Sequence, residues 1–158
     1  MPDETLLLLA KEVRNKTLRL LEGVTQEQSL WTPPGLNNHI LWHAGHSFIV
    51  VQALAVGPLS GQPPVYPEGW FESFSWKSLP AAVKSWPPLE SVVAALRQQL
   101  DTVLKGIEPL SADQLGKNIG DAAKPRTLRY SILHGFHDEA GHQGELYTLK
   151  KLIAKGKS

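Results

Sequence analysis

Apolar residues return at helical intervals in four stretches of this chain. Between Asp3 and Glu22 the positions Leu6, Leu9, Val13, Leu20 and Leu21 fall near the 3.6-residue period with charges between them, and Gly23 stands where a C-cap is needed. The segment Trp31-Thr-Pro-Pro-Gly35 breaks the pattern, after which Asn37 or Asn38 is placed to cap a second helix running to about Val56, ahead of Gly57-Pro58. A third stretch, from about Leu89 to Gly106, puts Val92, Val93, Leu96, Leu100, Val103 and Leu104 on one side. Ser111-Ala-Asp-Gln114 reads as the start of a short helical turn, and Gly116 to Pro125 as a polar connection. The last helix runs from Thr127 to about Lys155, where Leu128, Ile132, Leu146, Leu149 and Ile153 share a face and Gly156 closes it. No segment alternates with a period of two. The pattern predicts an all-α fold, an up-and-down four-helix bundle with a long crossover connection.

That connection, Gly57 to Pro88, holds most of the prolines and three of the five tryptophans. It exceeds the usual unstructured loop of about 12–15 residues. Its aromatics, Tyr66, Trp70, Phe71, Phe74, Trp76 and Trp86, point to a packed segment: one laid against the helices, or a lid lining a substrate pocket.

Composition narrows the function. The 158 residues fit one domain, at roughly 100–200 residues per domain. With 16 Lys plus Arg against 15 Asp plus Glu, the net charge of +1 offers no general attraction to nucleic acid or to an anionic membrane. The absence of cysteine excludes disulfides, a thiolate nucleophile and Cys-ligated metal sites. The apolar run Leu6 to Ala10 is too short and too closely flanked by charge for a signal peptide or a span, and no other stretch looks long enough, so a cytoplasmic protein without a membrane segment is expected. Lys150, Lys151, Lys155 and Lys157 meet the negative end of the last helix dipole and read as solvated surface.

All six histidines lie in two windows, Asn37-Asn-His-Ile-Leu-Trp-His-Ala-Gly-His46 and His134-Gly-Phe-His-Asp-Glu-Ala-Gly-His142. At 100° per residue, His39, His43 and His46 fall within about 60° of one another on the second helix, with Val50, Ala53 and Leu54. On the last helix His134, Asp138 and His142 are spaced i, i+4, i+8, Glu145 shares their arc, and His137 points elsewhere. Buried imidazoles and carboxylates need partners. A divalent metal supplies one, and two imidazoles with a carboxylate suit zinc, nickel or iron(II) while leaving coordination positions open. The competing reading is a hydrogen-bonded core network in which the histidines are structural.

The motifs Asn38-His-Ile-Leu-Trp-His-Ala-Gly-His46 and Asp138-Glu-Ala-Gly-His-Gln-Gly-Glu-Leu146 resemble those of the DinB-like (YfiT-like) superfamily of metal-binding four-helix bundles, and the likeness in helix order and length spans nearly the whole chain. The resemblance implies metal ligation by His46 and His142, with Asp138 standing where the family most often has histidine and mycothiol-dependent isomerases carry a carboxylate. His43 is the rival to His46, since some relatives align their histidine one turn earlier. The family includes thiol-dependent transferases and isomerases using bacillithiol or mycothiol, so a low-molecular-weight thiol is an expected cofactor beside the metal. It also implies a homodimer formed through the first and second helices, in keeping with the leucine excess of Leu6 to Leu9.

Two functions follow as expectations. In one the chain is a metal-dependent transferase or hydrolase acting on a small molecule, with His46, Asp138 and His142 holding the ion and Glu145 or His43 moving protons. In the other it is a non-catalytic metal-binding or stress-related bundle. Glu139 reads as a solvated carboxylate, and Ser47 and Ser131 lack the surroundings of a hydrolase nucleophile.

Overall fold

The first helix of the computed structural model, which describes residues 1–156, is α1 (Glu4–Leu21), capped by the Asp3 carboxylate accepting from Leu6 N at 3.0 Å. Gly23 follows it at φ 72°, a left-handed turn that a glycine accepts without strain. A one-turn helix α2 (Gln26–Ser29) carries a reciprocal Thr25/Gln28 capping box. The expected second helix begins at α3 (Ile40–Val51) and continues without a break through a π-turn at Gln52–Val56 into α4 (Gly57–Ser60). Its cap is neither Asn37 nor Asn38. The His39 imidazole takes that part, its Nδ1 accepting from Trp42 N at 3.0 Å, which removes His39 from the helical arc it was expected to share with His43 and His46.

The crossover contains α5 (Trp70–Phe74) and a 3₁₀ turn at Pro80–Ala82. There follow α6 (Leu89–Ile107), then α7 (Ala112–Gly116) with its Ser111/Gln114 capping box, then α8 (Leu128–Lys155), capped by Thr127. Among the described residues there is no strand, only one isolated bridge between Asn118 and Thr127. Lys157 of the expected basic tail lies outside the described residues.

The fold is all-α, and α1 and α3 each pack against both α6 and α8. All twelve residues of α3 are buried. Contrary to the expectation from sequence, the continuous helical run Ile40–Ser60 is long and apolar enough to cross a membrane by length and composition; 78% of its most apolar window is covered by the protein itself. In the leucine-rich start of α1, Leu6 is buried while Leu8 is 66% exposed. The aromatic crossover is laid against the helices: Trp70 and Phe74 are buried in the cluster formed by Ile40, Leu41, Phe48 and Leu96, and Trp76 remains exposed.

A polar belt ties α1, α6 and α8 together inside the core. Arg14, wholly buried, forms a two-pronged ion pair with Glu139, Nε to Oε1 and Nη2 to Oε2 both at 2.9 Å. Its remaining donors reach Leu96 O at 2.6 Å and Gln99 Oε1 at 2.9 Å. Glu139 is thus no solvated carboxylate. Gln143 of α8 donates to Val13 O and Thr17 Oγ1 of α1, and Gln99 to Phe48 O beside the π-turn. Each buried polar group here has a partner, as burial demands.

Candidate metal centre

Residues from α3 and α8 converge where the two helices pack. His43 and His46 are buried, whereas the side chains of His142 and Asp138 retain 17% and 35% of their exposure. Both helices bring their polar residues to this point by spacing: His43 and His46 lie three apart on α3, Asp138 and His142 four apart on α8. His134, expected to extend that row, is exposed and stacks on Tyr130. His137 faces it on the same outer surface, away from the centre.

The protons on these rings follow from their partners. Phe74 O, a carbonyl, only accepts, so the 2.7 Å contact places the hydrogen of His46 on Nδ1 and leaves its Nε2 with a bare lone pair. His43 Nε2 lies 2.8 Å from Glu145 Oε2 and donates to it. A neutral His43 then has an accepting Nδ1, and that atom lies 2.9 Å from His142 Nδ1, which must be the donor. In a neutral His142, the form that ligates a metal, Nε2 is then bare as well. Both bare nitrogens face the same carboxylate oxygen, Asp138 Oδ2, at 3.8 Å from His46 and 3.4 Å from His142. That oxygen is buried and has no hydrogen-bond partner.

Among the described residues two triads can hold an ion, and they share His142: His43–His142–Glu145 and His46–Asp138–His142. They differ in what they lack. The first is already a complete hydrogen-bonded chain, with a proton between each pair. The second sets three acceptors against one another with no proton among them, an arrangement that costs energy unless a cation occupies the middle. Ligand atoms about 2.0–2.2 Å from a tetrahedral ion sit roughly 3.3–3.6 Å apart, close to the separations here, so the donor set fits a divalent metal.

Burial shapes the titration of these groups. It lowers the His43 pKa to about 3, aided by the charges of His142, His46 and His39, and lowers His39 to about 4. It also lowers His46, against the opposing pull of the Phe74 carbonyl. At neutral pH the centre therefore presents His43 and His46 as neutral imidazoles, the protonation state that metal ligation requires of histidine. A pH dependence of stability follows. Unfolded histidines titrate near 6.5, so between about pH 6.5 and 4.5 unfolding takes up protons and metal-free protein loses stability as the pH falls, by about 1.4 kcal/mol per pH unit for each histidine that stays neutral when folded. Urea midpoints across that window are expected to fall steadily; a flat profile would contradict the burial of His39 and His43.

What orients His46 was not legible from sequence. The crossover supplies the Phe74 carbonyl, the Trp42 ring stacks on His46 at 4.5 Å, and Trp42 Nε1 is itself held by Ser78 Oγ at 2.8 Å. Phe74 approaches this closely because residue 45 is glycine: a Cβ there would clash with the Phe74 ring. The signal was an isolated glycine within a helical pattern, between the two ligand-type histidines. Gly45→Ala, which in an open helix would gain up to about 1 kcal/mol, is expected to destabilise this protein by about 1–3 kcal/mol through overpacking and to weaken zinc binding. Urea denaturation checks it, and an unchanged or raised midpoint would refute the buttress.

No curated protein matches the sequence significantly. The crystal structure of a conserved protein from Enterococcus faecalis superposes with a TM-score of 0.73 at 14% identity, covering 98% of this chain and 99% of that one, which shows a shared fold. The sequence profile described as the DinB superfamily matches residues 9–146, and it ends on Leu146, so that both histidine windows fall inside it. The chain belongs to the DinB superfamily.

Proposed function

We propose that the protein is a metal-dependent enzyme built on an up-and-down four-helix bundle, with His46 Nε2, His142 Nε2 and Asp138 Oδ2 holding one divalent ion. The observation that carries this reading is the meeting of three proton-free acceptors around a buried, unpartnered oxygen. When bound, such an ion lowers the pKa of a coordinated water or low-molecular-weight thiol and so provides a nucleophile at neutral pH. Zinc, nickel and iron(II) all suit the donors.

The protein's own residues have distinct tasks. Phe74 O and Trp42 fix the His46 ring, and His43 fixes His142 by accepting its Nδ1–H. Glu145, 60% exposed, receives the His43 Nε2–H and connects the buried pair to solvent, so His43 and Glu145 are the proton-moving residues of this reading. The substrate is a small molecule and the reaction a transfer or hydrolysis, carried out by a cytoplasmic homodimer.

Metal analysis of untagged protein is expected to give about one divalent ion per chain, and a screen of thiol and electrophile pairs on the loaded protein to give turnover. Glu145→Gln is expected to keep the metal and lose at least about tenfold in rate. Metal bound without turnover in any pairing would favour the non-catalytic bundle; no metal would refute the centre. Light scattering that gave a monomer mass would remove the homodimer.

A further inference from the structure

A cleft of about 360 Å³ opens at the outer end of the His142–His43–Glu145 chain, where the connection before α3 faces α8. His43 and Glu145 reach it from within, Asn37 and Asn38 from the connection, and Gly144 and Thr148 from α8. Its volume lies toward the lower end of the range of about 300–1,000 Å³ typical of small-ligand sites.

The chemistry of the walls is one-sided. Glu145 is the one acidic group lining the cleft, and no lysine or arginine lines it. Only Oε2 of Glu145 is engaged, by His43; among the described residues Oε1 has no hydrogen bond or ion pair, and neither do the side-chain amides of Asn37 and Asn38. Thr148 donates its hydroxyl proton to Gly144 O and keeps its lone pairs. A Cβ at Gly144 would meet nothing within 4 Å, so the cleft reaches the helix backbone there. Leu36, half exposed, supplies an apolar lip.

We infer that this cleft binds the protonated amine of a small ligand, with Glu145 Oε1 as the counter-ion and the Asn37 and Asn38 amides meeting hydroxyl or carbonyl groups next to that amine. An anion finds no cation here and is repelled by Glu145. The ligand class is a compact ammonium compound, and its recognition does not rest on the proposed metal centre.

The test uses the full-length protein, zinc-loaded and separately chelator-treated, followed by two-dimensional amide NMR at pH 7.5 and constant ionic strength. Ethanolamine is the probe, ethylene glycol its uncharged control and acetate the anionic one. Ethanolamine is expected to give saturable shifts confined to residues 36–38 and 144–148 in both preparations, with neither control doing so. Glu145→Gln should weaken the binding by about tenfold or more, the loss of one hydrogen bond to a charged group. Gly144→Leu, whose Cβ meets no other protein atom within 4 Å and whose side chain then occupies the cleft, should abolish it while the rest of the spectrum shows a folded chain. Equal shifts with ethylene glycol or acetate, unchanged affinity in Gly144→Leu, or no local shift with ethanolamine would overturn the inference. The metal centre is judged separately by zinc titration, so failure of one leaves the other standing.

Discussion

His142→Ala is expected to abolish tight zinc binding, because His142 is the residue common to both triads and offers the nitrogen nearest to Asp138. Calorimetric titration of the metal-free protein reads this directly. His46→Ala and Asp138→Ala should each lose at least about a hundredfold in affinity, since each removes a ligand from a set of three. His43→Ala should lose less, about 10–100-fold, because it only orients His142. His137→Ala should change nothing, its ring lying on the outer surface of α8. Chelation should lower the melting temperature of the wild type and leave His142→Ala unmoved, as stabilisation by an ion scales with its occupancy of the folded state. Should His43→Ala and Glu145→Ala prove as damaging as His142→Ala while His46→Ala binds normally, the ion belongs to the other triad.

The largest effect on stability is expected at Arg14. Arg14→Met leaves the Glu139 carboxylate in the core without its counter-ion and frees Leu96 O and Gln99 from their donor, a loss of about 3–5 kcal/mol. The double change Arg14→Met with Glu139→Leu removes both charges at once and should recover most of it, since well-packed apolar replacements of buried pairs are often neutral. Asp138 and Glu139 point about 100° apart on α8, so the double variant should still bind zinc. Urea unfolding of the three proteins, with slopes as well as midpoints, checks this. A double variant no better than Arg14→Met would show that the belt holds the helices in place by more than charge balance.

Sequence carried the helices well because their signals are local. Asp3, Thr127 and the Ser111/Gln114 box cap where their side chains announce it, and the stripes of α6 and α8 bury most of the residues that their period selects, with Val93, Leu104 and Ile153 only partly covered. The site was legible to the same depth: a shared helical arc brought Asp138 and His142 to one edge of α8, and a histidine window placed His43 and His46 opposite. Three things were hidden for physical reasons. A histidine cap at His39 competes with two asparagines that have the stronger prior. The buried pair of Arg14 and Glu139 joins residues 125 positions apart, and each alone reads as solvated surface. The Phe74 carbonyl that sets the His46 tautomer is a backbone group, without a side chain to mark it. That carbonyl is what distinguishes His46 from His43 in the proposed centre, and spacing alone left both open.

The central claim is that three proton-free acceptors meet at one point to hold one cation. Anomalous diffraction from a crystal grown with zinc, recorded on both sides of the zinc absorption edge, tests it most directly. One strong peak is expected inside the fold, about 2.0–2.2 Å from His46 Nε2, His142 Nε2 and Asp138 Oδ2. No peak there, or a peak among His43, His142 and Glu145 with Asp138 Oδ2 left unpartnered, would contradict it.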